Sequence, residues 1–197
     1  MPADLVFPDN NEKEFVMFAE RLGYTKLYFA YNLKQKIPPL PFDTKIDVKP
    51  AVLSPPRDVR TARKASNFVI VHATDDIRYV LEKEKPSLVF GLEDSTRKDF
   101  MHYRNSGLNH FSCSLLAKND VLLGISLHSL LCSDEHKRIV LLGRLSQNID
   151  LCRKYGAKPV LASFARSPFG MRSPHDLFAF AITLGMSTKQ AKDALEF

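Results

Sequence analysis

The segment Ser163-Phe-Ala-Arg-Ser-Pro-Phe-Gly-Met-Arg-Ser-Pro174 carries the residue types best suited to holding a polyanion. It follows an apolar strand candidate and runs into a helix start, with Ser173 as the N-cap, Pro174 at the first helical position and Asp176 in the first turn. Free backbone N–H groups at such a start attract phosphate, and the guanidinium forks of Arg166 and Arg172, with Ser167 beside them, would add paired hydrogen bonds. The competing reading is a plain helix cap. A second polar turn, Arg104-Asn105-Ser106-Gly107-Leu108-Asn109-His110, also opens a helix, with Ser106 or Asn105 as the expected cap. Between His136 and Arg172 stand eight Lys and Arg residues, Arg138 and Arg144 among them, against the single acid Asp150, a net of +7 where the whole chain carries +6. A further basic face, Arg57, Arg60, Arg63 and Lys64, is a solvated helix surface or a phosphate track. This chemistry is binding rather than bond breaking.

A catalytic centre of the chain's own is harder to find. The six histidines include no HxH or HExxH pair, and neither a GxSxG elbow nor a phosphate-binding P-loop is present. His72 with Asp75 and Asp76 is the nearest approach to a metal-ligand set, but both acids are accounted for as first-turn partners of a helix dipole.

The elements that would position these groups alternate strand and helix. Strands are expected at 3–7, 26–31, 45–48, 68–71, 88–91, 121–126 and 159–163, each short, rich in Val, Ile, Leu and Phe, with little polar alternation. Helices are expected after the Asn11-to-Glu14 capping box, at 57–65, from the Thr74 cap to Pro86, around Leu108, Phe111 and Leu115, at 134–155, after Ser173 and after the Ser187-to-Gln190 box. On the long helix, Leu142, Leu145, Ile149 and Cys152 form the buried stripe, which places Arg144, Gln147 and Asn148 toward the flanks. Strands covered on both faces and separated by helices read as a parallel α/β sheet, here a single-domain TIM-barrel-like (β/α) barrel spanning 1–197; an open doubly wound sheet is the alternative, though no GxGxxG turn follows the first strand.

The composition fits this reading. With 45% hydrophobic and 25% charged residues, the 197-residue chain is of ordinary globular type, and no stretch is long and apolar enough to span a membrane. Cys113, Cys132 and Cys152 are too widely spaced for a zinc pair and read as buried reduced thiols in a cytoplasmic protein.

Four ordered motifs stand in the C-terminal half: Arg104-Asn-Ser-Gly-Leu-Asn-His110, Gly124-Ile-Ser-Leu-His128, Arg144-Leu-Ser-Gln-Asn-Ile-Asp-Leu-Cys-Arg-Lys-Tyr155, and Ala162-Ser-Phe-Ala-Arg-Ser167 with Arg172-Ser-Pro-His-Asp-Leu177. With them this half resembles the ribonuclease P protein component 3 family, the archaeal counterparts of the thirty-kilodalton subunit of eukaryotic ribonuclease P. The resemblance implies a barrel of the polymerase-and-histidinol-phosphatase type whose metal histidines are lost, and indeed Val6-Phe7-Pro8 follows the first strand. It also implies a subunit that binds the ribonuclease P RNA and, within the complex, precursor tRNA, together with a small RNA-recognition-like protein subunit and other ribonuclease P proteins. No cofactor is expected in this chain, and magnesium is expected with the RNA, which would carry the catalysis. Contact with RNA or partner falls by resemblance on Arg104, His110, Arg144, Arg166 and Arg172, and by position on Asn105, Arg138, Gln147, Ser167 and Ser173. The rival reading is a metal-dependent barrel phosphoesterase centred on His72; a scaffold touching only protein is a third.

Overall fold

The structure is a computed structural model that describes residues 1–39, 44–73, 77–96 and 98–197. Its strands are β1 (Ala3–Val6), β2 (Lys26–Asn32), β3 (Asp47–Ser54), β4 (Phe68–His72), β5 (Leu88–Phe90), β6 (Leu122–Ser126) and β7 (Pro159–Ala162), all parallel and paired in sequence order. The helices between and after them are α1 (Glu12–Leu22), α2 (Val59–Ala62), α3 (Ile77–Tyr79, continued by a π turn, Val80–Glu84), α4 (His110–Lys118), α5 (Leu127–Leu131), α6 (Glu135–Tyr155), α7 (Pro174–Thr183) and α8 (Thr188–Asp193).

Why the strands look apolar throughout is now plain. Leu5, Ala30, Ala51, Ile70, Leu88 and Val160 share one buried cluster with Phe90 and Phe164 and fill the barrel. Their strand neighbours Val6, Phe29, Ile125 and Leu161 pack against one set of helices, and Val52, Val69, Val89 and Leu123 against another. The interior is tight: a Cβ on Gly124 would lie 2.7 Å from Leu88, 3.0 Å from Phe90 and 3.1 Å from Phe164. That is the physical reason for glycine at this place in β6.

Between β7 and β1 no strand ladder forms, and three devices close the gap instead. At the start of the strands the backbone after α8 steps in, with Ala3 N–H donating to Leu195 O at 2.8 Å and Leu161 N–H to Ala194 O at 2.9 Å. In the middle the Asp4 carboxylate accepts from Ser163 N–H at 2.6 Å, Ser163 Oγ–H at 2.7 Å and Leu5 N–H at 2.9 Å. At the far end Phe7 N–H donates to Ala165 O at 2.8 Å, beside a parallel bridge between Val6 and Ala165. Asp4 is fully buried, and burial pushes its carboxyl up to about 6 against the lowering pull of those hydrogen bonds.

Several expectations are corrected. Asn11 starts α1, but its side chain accepts from Asp9 N–H, so no capping box forms. The helix expected at 57–65 shrinks to the four residues of α2. The cap of α4 is Asn109, which accepts from Ser112 N–H, rather than Ser106 or Asn105. Cys113 and Cys152 are buried and free, whereas Cys132 is exposed. The Thr74 cap with Asp75 and Asp76 lies outside the described residues. The caps by Asp134 and Ser173 and the Ser187–Gln190 capping box form as the sequence predicts.

Candidate functional site

The carboxyl ends of the strands surround a cavity of about 620 Å³. Its wall includes Asp9 after β1, Asn32 in β2, His72 in β4, Asp94 after β5, His128 after β6, and Phe164 and Arg166 after β7. Arg166 is exposed and makes no ion pair among the described residues; burial first, and then the charge of Arg166, hold the His128 imidazole below its usual value. Among the described residues no three His, Cys, Asp or Glu side chains come together as a metal-ligand group. The acids the sequence pairs with His72, Asp75 and Asp76, are outside that description.

Beside the mouth, the connection from β5 to α4 is fastened to α6 by a dense polar clamp. Arg144 is 4% exposed. Its Nε and Nη2 donate to Asp99 Oδ1 at 2.9 Å each, and its Nη1 to the carbonyls of Glu93 at 2.9 Å and Ser95 at 2.7 Å. Asp99 Oδ1 also accepts from Asn105 N–H at 2.9 Å, and Asn105 Nδ2 donates to the Lys98 carbonyl. Partial burial raises the Asp99 carboxyl, but the Asn105 N–H, the Arg144 guanidinium and the charge of Arg104 outweigh it and hold the group below the usual carboxylate range. One helical turn on, Gln147 takes Arg104 N–H and gives to Arg104 O, both at 2.9 Å, and to Ser106 Oγ at 2.8 Å; Asn148 gives to Ser106 O at 3.2 Å. Arg104 lies over Gly143 of α6, where any Cβ would strike its guanidinium.

The RNase P subunit p30 family model matches residues 97–196, just over half of the chain. Ribonuclease P protein component 3 of Methanosarcina mazei is 30% identical over 200 residues, covering 94% of this chain and 80% of its own length. The chain belongs to the RNase P subunit p30 family. The solved structures share the fold: a chain in an archaeal ribonuclease P with mature tRNA superposes with a TM-score of 0.76, covering 98% of this chain and 87% of its own, at 18% identity. Histidinol phosphate phosphatase of Lactococcus lactis follows at 0.64 and 14% identity, covering 94% of both chains, so the barrel is of the expected type.

In this p30 family member the first motif, Arg104 to His110, is largely a fastening device. Gly107 takes φ +75°, and a Cβ there would run into the Leu92 carbonyl. Gly107→Ala is expected to cost about 2–3 kcal/mol, because backbone on both sides must give; urea denaturation checks it, and a loss under about 0.5 kcal/mol would show that the turn relaxes freely.

The ten residues named from sequence do not form one face. Arg144 is buried in the clamp instead of lying on the flank of α6, because Asp99 and two carbonyls draw it inward. Asn148 is likewise buried, so the stripe of α6 runs through Leu141, Arg144, Leu145, Asn148 and Ile149, with Leu142 half-buried. Arg138 is tied to the carbonyls of Leu130 and Ser133, and Arg172 to those of Phe169 and Met171, though both side chains stay exposed. Ser173 caps α7, and its hydroxyl donates to Asp176 Oδ2 at 2.8 Å, so the chain's own carboxylate stands where an anion was expected. Ser167 is exposed next to Arg166, and His110 opens α4 with its ring 6.4 Å from Tyr155. Arg153, Lys154 and Lys158 sit at the other end of α6, about 31 Å of helix from its start, two of them paired with Asp150 and Asp120. The basic residues counted between His136 and Arg172 are thus divided between the two ends of the barrel. Sequence reasoning missed Asp99, the acid that organises the clamp; its only signal is its place just before the polar turn.

Proposed function

We propose that this chain is a protein subunit of ribonuclease P, binding and supporting the RNA that removes the 5′ leader from precursor tRNA. The near full-length likeness to the M. mazei component 3 carries this reading, and the family model over 97–196 supports it. On this reading the RNA supplies the catalytic groups and holds magnesium, and the particle works in the cytoplasm. The protein supplies fixed cations. Arg166 at the mouth and Arg104 on the clamped connection neutralise phosphates; Arg144 and Gln147 hold that connection in place without touching RNA. Cations fixed in this way let RNA strands approach one another, and each phosphate engaged adds about −0.7 to −0.9 to the slope of log affinity against log salt. A small RNA-recognition-like subunit and the other ribonuclease P proteins are its protein neighbours.

The test is reconstitution. Precursor tRNA cleavage is measured with the RNA and the other proteins, with and without this chain. Omission is expected to lower the rate severalfold and to raise the magnesium needed; a rate and magnesium requirement both unchanged would end the reading.

A further inference from the structure

Between its clamped ends the connection from β5 to α4 turns two aromatic side chains outward. The rings of Phe100 and Tyr103 stack with centroids 4.7 Å apart and planes 23° from parallel. Each residue is 57% exposed, and Met101 between them is 93% exposed. Exposed aromatic surface is disfavoured in water unless something covers it. This pair is nevertheless held in shape: Phe100 N–H donates to Tyr103 O at 2.9 Å, and the Asp99–Arg144 and Arg104–Gln147 contacts fix the loop at both ends. Within the loop basic residues outnumber acids. Lys98 and Arg104 flank them with His102 between, and the one acid, Asp99, is engaged by two arginines.

A flat π surface bordered by cations suits an unpaired nucleobase, which stacks on the ring while its phosphates meet the lysine and arginine. Duplex RNA keeps its base faces stacked and offers none. An apolar protein segment over the same rings would strip water from the basic side chains without compensating them. We infer that the 98–104 loop is a stacking platform for an unpaired RNA base. The inference rests on the RNA-holding function proposed above and adds to it the chemical class of contact that this loop makes.

The chain contains no tryptophan, so Tyr103→Trp places a sole indole on the platform. The full-length variant is titrated with short single-stranded oligoadenylate and with duplex RNA of equal length, and RNA anisotropy reports binding separately. At matched occupancy the indole is expected to be quenched severalfold more by the single strand. Phe100→Ala in that background should weaken single-strand binding by about fivefold or more and leave duplex binding unchanged. An indole that responds equally to both RNAs, or to neither while anisotropy shows RNA bound, overturns the platform and leaves the RNA-holding function standing. An indole that shifts only when the other ribonuclease P proteins are added without RNA assigns the rings to protein and also overturns it. Absence of binding to these RNAs and to the ribonuclease P RNA removes both.

Discussion

Asp4→Ala is expected to destabilise the fold by roughly 4 kcal/mol, whereas Asp4→Asn stays within about 1 kcal/mol of the native chain at pH 5. Alanine leaves Ser163 N–H, Ser163 Oγ–H and Leu5 N–H without their acceptor in a site from which water is excluded, and each orphaned buried group costs about 1–3 kcal/mol. Asparagine can accept both N–H groups on its oxygen and donate its amide to Ser163 Oγ, much as the protonated acid does. The pH dependence follows from the raised carboxyl. Folding lifts Asp4 from 3.8 to about 6, so the folded chain binds the extra proton between those values. Its contribution is therefore full below pH 4 and lost as pH rises through 6, amounting to about 3 kcal/mol. Glu93, also buried and pushed up to about 7 by burial and the neighbouring Asp94, acts with the same sign. Subtracting the Asp4→Asn urea curves from the native ones at pH 4.5 and 7.5 isolates the Asp4 share. A difference that does not shift toward the variant as pH rises would mean that Asp4 is ionised at little cost.

Arg144→Ala is expected to cost about 3–5 kcal/mol and to free the β5–α4 connection. The substitution abandons a half-buried Asp99 and the carbonyls of Glu93 and Ser95 together. Arg144→Lys should rescue little, since one ammonium cannot reproduce a planar fork that serves a carboxylate and two carbonyls at once. With Asp99→Ala, a double-mutant cycle should return a coupling above about 1 kcal/mol. The decisive comparison is stability against RNA affinity. An Arg144→Ala protein of native stability with weakened RNA binding would restore the side chain to the RNA-contact role that its place in the sequence suggested.

Local signals carried most of the fold. Six of the seven strands lie where runs rich in Val, Ile, Leu and Phe place them, while the third, expected at 45–48, runs from Asp47 to Ser54, and Asp134, Ser173 and Ser187 cap the helices that follow them. What failed depends on partners remote in sequence or on a choice between near neighbours. Arg144 looks like a flanking cation until Asp99, 45 positions earlier, is brought alongside. Asn11 resembles the start of a capping box until its oxygen turns to Asp9. The turn before α4 offered Ser106 and Asn105 as caps, but the chain continues through the left-handed Gly107 and the role falls to Asn109. The division of the basic cluster was invisible for a simpler reason: residues close together along α6 are carried from one end of the barrel to the other by the length of the helix.

The way the β7–β1 gap is filled bears on behaviour at high concentration. A seven-stranded open sheet would present two bare strand margins, each a template for a neighbouring molecule's backbone. Here the N–H groups of Ala3, Leu161 and Phe7 are already satisfied by Leu195, Ala194 and Ala165, and the Asp4 carboxylate occupies the space between. Both margins are thereby withdrawn from edge-to-edge aggregation, although the sheet itself never completes its circle.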